Sequence, residues 1–248
     1  EMTCETAGTI GSQYTGPILP ITYIQGLTSA EITDILVPGD DTEDDESFRQ
    51  RAIDALTERP FGGNVADYKR VVPAIDGVGG LQVYPTWDGG GTVKLSVMGS
   101  DWMPASPQLV ETVQNTVDPP PDQGLGYGTA PIGAKVTVVA PEIVTVDITA
   151  RLATGPGYTL PLLRQSVRDA VDAYMLNIRR EWDEPDASGM THYSAWVYAA
   201  RVTAAMLSVP GVVNVTGLTI NGRSADLELR EDGLLQQVPA LGEVTLHA

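Results

Sequence analysis

Apolar residues recur at helical spacing in some windows of the chain and alternate with polar ones in others, and the two periods divide it into helices and strands. Phe48, Ala52 and Leu56 stand at i, i+4 and i+8 and predict an inward face on a helix over about 46–58 that stops before Pro60. Asn64 and Asp67 have the spacing of a capping box, and Val65, Tyr68, Val71 and Val72 form the stripe behind it, so Gly62-Gly63 joins two helices. Ser106-Pro107 reads as a cap followed by a first-turn proline, with Leu109, Val110, Val113 and Val117 inward before Pro119. The longest stripe, Leu163, Val167, Ala170, Val171, Tyr174 and Ile178, predicts a helix over about 160–180, and another is expected over about 194–207.

Period-two alternation predicts strands at "LQVYP" and "TVKLSV", joined by "TWDGGG", and at "KVTVVA", "IVTVDITARL", "VVNVTGLTI" and "GEVTLHA". Asn221-Gly222 is a turn signal after the fifth of these. Residues 18–26 and 29–37 are β-rich and predict extended or hairpin structure ahead of the first helix. Both halves of the chain repeat a helix, a Gly-Val step and a strand, in "AIDGVGGLQVYP" and "LSVPGVVNVTGL". Pro141-Glu142 marks the boundary. The expected fold is α+β: two small mixed α/β modules, mainly antiparallel sheets with helices packed on them, over 39–141 and 142–248, behind an N-terminal extended segment at 1–38.

Composition changes this picture by exclusion. Fifteen Lys and Arg against 32 Asp and Glu give a net charge of −17, which repels phosphate backbones and anionic lipid and argues against nucleic acid and membrane surfaces as partners. Cys4 is the one cysteine, so no internal disulfide or multi-cysteine zinc site is possible, and a reducing compartment fits. No stretch approaches the roughly 18 apolar residues of a membrane span, and the first residues lack the basic and apolar regions expected of a signal peptide.

Three stretches suggest chemistry. Gly89 to Gly91 resemble a phosphate loop, but such loops open a helix, and these lie between two predicted strands, so a turn is expected. Six of the seven residues from Asp40 to Glu46 are acidic, yet the run lacks the internal glycine of a calcium loop and is read as a helix start, with Thr42, Asp44 or Asp45 as cap. "WDEPDASGMTHYS" gathers Asp183, Glu184, Asp186, Ser188, His192 and Ser194 without a metal-binding spacing or a nucleophile elbow, and is read as a polar loop. Trp87, Trp102, Trp182 and Trp196 are expected to serve packing rather than sugar stacking, and Cys4 is expected to be inert. No catalytic residue, metal or cofactor is assigned.

The pieces "AGTIG", "DDESFRQRAIDAL", "GGNVADYKRVV", "GVGGLQVYPTWDGGGTVKLSV", "PIGAKVTVVAP" and "VPGVVNVTGLTING" recur in this order in the baseplate J family, and the chain resembles that family over nearly its whole length, residues 101–130 matching least. The resemblance implies a structural wedge component of a contractile phage tail or tail-like particle, linking the tail hub to the fibre-bearing periphery. Implied partners are copies of itself around the tail axis and other baseplate wedge and tail proteins. The implied location is the virion tail baseplate, assembled in the bacterial host cytoplasm. Family members usually carry a further N-terminal segment, which is expected to be missing ahead of Glu1. Two alternatives remain open: a tail-associated glycan hydrolase working through Asp183, Glu184 or Asp186, and a carbohydrate-binding module, which requires clustered exposed tryptophans.

Overall fold

The computed structural model describes residues 2–57, 62–182 and 194–248. The chain divides into two units, Glu1–Ala140 and Pro141–Ala248.

In the first unit, β1 (Gly16–Ile18) and β2 (Ala30–Ile32) pair antiparallel, with Pro17 opposite Glu31. Only three residues on each side pair, so much of the β-rich sequence at 19–29 is the connecting loop. Next comes α1 (Asp45–Thr57). Asp44 caps it, accepting the amides of Glu46 and Ser47 at 2.9 Å each. Phe48 and Ala52, expected to face inward, are exposed instead. Periodicity marks the face a helix can bury, and among the described residues nothing covers Phe48 or Ala52. The side chain of Leu56 and the stop before Pro60 lie outside the described residues.

The capping box of α2 (Val65–Val71) forms as expected: Asn64 accepts the Asp67 amide while the Asp67 side chain accepts the Asn64 amide. Tyr68 and Val72 are buried, whereas Val65 stays exposed. Then β3 (Val78–Pro85) and β4 (Thr92–Gly99) form an antiparallel hairpin. A parallel neighbour needs a crossover, which α3 (Pro107–Val117) supplies before β5 (Lys135–Val139) runs parallel to β4, Leu95 opposite Val138. Ser106 caps α3 by accepting the Leu109 amide, and Leu109, Val113 and Val117 are sealed against Leu81, Leu95 and Val136.

The second unit begins with β6 (Glu142–Thr154), followed by α4 (Leu160–Arg180). On α4 the buried apolar positions are Leu163, Val167, Val171 and Met175, an i+4 row that the buried Arg179 continues, and Ala170, Tyr174 and Ile178 flank it half-buried. The expected helix over 194–207 begins late: Ser194–Val197 is a strand, β7, and α5 spans Ala199–Leu207. The reason is tertiary. After β8 (Val212–Ile220) a strand that the pattern did not announce, β9 (Leu227–Arg230), pairs with β7, Ala195 opposite Leu229. The last strand, β10 (Gln237–His247), runs parallel to β6, while β8 is antiparallel on the other side, giving the order β10-β6-β8. Asn221 and Gly222 both hold positive φ, 48° and 74°, and Ile220 and Arg223 exchange both backbone hydrogen bonds across them. Each fully buried Val, Leu or Met contributes roughly 1.5–3 kcal/mol against exposure, so the α4 row and the sheet beneath it hold this unit. The fold is α+β, small mixed sheets with helices packed on them.

Candidate functional site

The glycine-rich stretch is a turn. Thr86 donates its amide to Thr92 O at 2.7 Å and Gly89 its amide to Thr86 O at 3.2 Å, with Gly89 and Gly91 at φ 91° and 80°. Beside it, the buried Lys94 holds its ammonium 3.9 Å from the ring centroid of Trp87, a cation–π contact inside the hairpin.

The acidic run spends its carboxylates locally. Asp41 accepts the amide and the hydroxyl of Thr9, both at 2.8 Å, and these bonds hold its pKa below the usual carboxylate value. Asp44 is held low by the Ser47 amide at the start of α1, and Glu43 by its two-pronged pairing with Arg51. These bonds anchor the N-terminal residues to the run and cap the helix. Among the described residues, no group of three or more His, Cys, Asp or Glu side chains is gathered to hold a metal ion. A polar cleft of about 320 Å³ near the start of α3 is lined by Asp34, Pro38, Asp101 and Ser106. Asp101 is engaged there by the Met103 amide.

Asp183, Glu184, Asp186, Ser188 and His192 lie outside the described residues, as does the side chain of Ser194. Trp182 is buried, and Trp87, Trp102 and Trp196 are half-buried, so the tryptophans present no exposed cluster. Trp196 stacks on Tyr198 with centroids 6.3 Å apart and planes 13° from parallel. Cys4 is a free, exposed thiol, and His247 is exposed at the end of β10. Among the described residues, no helix is long and apolar enough to cross a membrane.

Two other features emerged only with the fold. The loop from β1 to β2 and the loop that leads into β5 turn large apolar side chains to solvent. A signal for both was present in the sequence: no charged residue stands between Glu5 and Glu31, or between Asp122 and Lys135.

Compared with known proteins, residues 60–140 match the Baseplate J-like central domain and residues 146–247 the Baseplate J-like protein C-terminal domain. The chain belongs to the Baseplate J-like family. The two family domains fall one in each unit. A relative, the phage-like element PBSX protein XkdT of Bacillus subtilis (strain 168), is 31% identical over 245 residues, covering 98% of this chain and 65% of the relative. The chain thus spans about two thirds of that protein's length. Baseplate protein gp47 of Escherichia phage Mu is 32% identical over 123 residues, 48% of this chain and 32% of gp47. The cryo-EM structure of the anti-feeding prophage (AFP) baseplate, 6-fold symmetrised, contains a chain similar over 92% of this one and 48% of its own length, at 14% identity and a TM-score of 0.49.

Proposed function

We propose that this Baseplate J-like chain is a structural wedge component of the baseplate of a contractile phage tail or a related tail-like particle, linking the tail hub to the fibre-bearing periphery. The observation that carries the reading is the pair of Baseplate J-like domains, which between them take up residues 60–140 and 146–247. The kinship with Mu baseplate protein gp47 supports it, as do the apolar side chains left in solvent, which a chain working in an assembly covers with its neighbours. Its partners are copies of itself and other baseplate chains. The charge of −17 favours neither nucleic acid nor an anionic membrane. It works without catalysis or cofactor, in the tail baseplate, after assembly in the host cytoplasm.

Electron microscopy of the intact particle with the exposed Cys4 thiol labelled tests the placement. Label in a ring at the end of the tail is expected; label on the sheath or the head removes the reading. The non-enzymatic part has its own assay. Release of sugars from host envelope by the chain, abolished in Asp183→Asn, Glu184→Gln or Asp186→Asn, would establish a hydrolase instead.

A further inference from the structure

The chain has five asparagines, and four of them precede a β-branched residue: Val65, Thr116, Ile178 and Val215. Asn221 precedes Gly222. The difference is chemical, because the backbone nitrogen after an asparagine can attack that asparagine's own Cγ, and two heavy atoms on the neighbour's Cβ crowd the approach. Glycine puts nothing there. Both residues are exposed at the end of β8, and a Cβ built on Gly222 meets no atom within 4 Å, so the turn is open to solvent.

The fold restrains the other reactant. Oδ1 of Asn221 accepts the Asp147 amide at 2.7 Å and Nδ2 donates to Thr145 O at 3.1 Å, so the carbamoyl group is clasped to β6. The backbone is held as well: the Asn221 amide donates to Asp147 O at 2.8 Å, and Ile220 and Arg223 close the turn. Ring closure needs a fresh rotation about the Cα–Cβ bond of Asn221, and the two bonds to β6 fix that rotation. Two hydrogen bonds of ordinary net strength make the released conformer roughly tenfold rarer or more.

We infer that Asn221 is a modification site, where the chain loses ammonia slowly while the clasp to β6 is shut and faster whenever it opens. In the step, the Gly222 nitrogen gives its proton to solvent base and bonds to Cγ; the Cγ–Nδ2 bond breaks, and Nδ2 takes a proton from water and leaves as ammonia. Water then adds across one of the two C–N bonds of the five-membered imide. Opening at Cγ leaves a carboxylate on an unaltered backbone, while opening at the carbonyl carbon of residue 221 routes the chain through Cβ and Cγ. Nothing is oxidised or reduced.

The product cannot rebuild the clasp. A carboxylate has no N–H for Thr145 O, and it brings a further negative charge to a strand end where the Asp147 carboxylate already accepts the Glu243 amide at 2.8 Å. On a chain of net charge −17 that repulsion adds to the loss. The modification thus weakens the join of β8 to β6, and its extent records how long the turn has been open.

The test uses the whole chain, held at pH 8 and 37 °C either folded or unfolded in guanidinium chloride, then digested and mapped by mass spectrometry. The mass gain of NH2 replaced by OH is expected at Asn221, with Asn64, Asn115, Asn177 and Asn214 left unchanged, and the folded chain should convert at least about tenfold more slowly than the unfolded one. Gly222→Ala, which places a methyl group beside the attacking nitrogen, should slow conversion in the unfolded chain. Asn221→Asp, which carries the product carboxylate from the start, should unfold at a lower urea concentration than the parent. Equal rates in the two states, conversion spread evenly over the five asparagines, or an unchanged urea midpoint in Asn221→Asp overturns the inference. It stands apart from the baseplate reading, which is decided by where the Cys4 label falls.

Discussion

Asp118 and Val136 are joined through a buried carboxylate: one oxygen of Asp118 accepts the Val136 amide at 2.8 Å while the other accepts the Gly124 amide at 2.9 Å. The side chain at the end of α3 thereby sets both the start of β5 and the loop that leads into it. Gln114, one turn earlier, completes the clamp by accepting the Val138 amide at 2.9 Å and donating to Val136 O at 3.1 Å. Asp118→Ala leaves the buried Val136 amide, and the Gly124 amide with it, without an acceptor and should cost roughly 2–4 kcal/mol. Asp118→Asn, which can accept one amide but not both, should fall between. Urea unfolding of the three proteins measures the order.

Gly211, in the Gly-Val step ahead of β8, has φ 99°, and a Cβ there would stand 2.4 Å from Cδ1 of Tyr158. Backbone conformation and space both demand glycine. Gly211→Ala is expected to lose about 2–3 kcal/mol, part from the left-handed backbone and part from displacing the ring. Gly222→Ala, also at positive φ but with nothing near its Cβ, should lose less. The difference in melting temperature between the two variants separates strain from clash.

Tyr68 is buried, and among the described residues its hydroxyl has no hydrogen-bond partner. Burial pushes its pKa up from the ordinary 10.0, and Asp118 and Asp67 push it further. A folded value above the unfolded one means a contribution that is full below pH 10 and is lost as pH rises through the folded value. Tyr68→Phe should therefore match the parent at pH 8 or exceed it by up to about 1 kcal/mol, and gain on it further above pH 10. Tyr174, also raised by burial, leaves some alkaline loss in the variant. Chemical denaturation at pH 8 and pH 11 gives both numbers.

Asp232 accepts the amides of Leu234 and Leu235, both at 2.8 Å, and these bonds, with Arg230, hold its pKa below 3.8. Asp41 and Asp44 are held low in the same way, by Thr9 and Ser47. Depressed values mean stability present above the unfolded pKa and lost as pH falls through the folded one. Protonation of other carboxylates meanwhile relieves the repulsion of a chain at −17. Stability should thus hold or rise slightly from pH 8 to about pH 5 and drop below pH 3.8. Asp232→Asn should shrink that drop, as urea midpoints across the range will show.

The features legible in the sequence are those whose causes are local. Asn64 with Asp67, Ser106 with Pro107, and Asn221 with Gly222 act over three or four positions, and all appear in the structure as read. The predicted stripe on α4 shares Leu163, Val167 and Val171 with the buried row, but it contains Tyr174 and Ile178, which lie beside the row, and lacks Met175, which lies in it. At the end of the same helix the buried Arg179 donates to Pro239 O at 2.8 Å, a partner sixty positions away that no periodicity reveals. At residues 194–197 the helix-compatible pattern is overruled by pairing with β9.

By itself, then, the sequence determined where helices and turns begin, which face of each helix is apolar, and that no framework of cysteines exists, because each depends on neighbours along the chain. It also carried the family, through the order of short pieces. Tertiary structure decided which apolar faces are covered. Leu109, Val113 and Val117 found Leu81, Leu95 and Val136 across the unit and vanished from solvent, while Phe48 on an equally regular stripe stayed exposed. Burial needs two sides, and the second is supplied by residues distant in sequence or by another chain altogether.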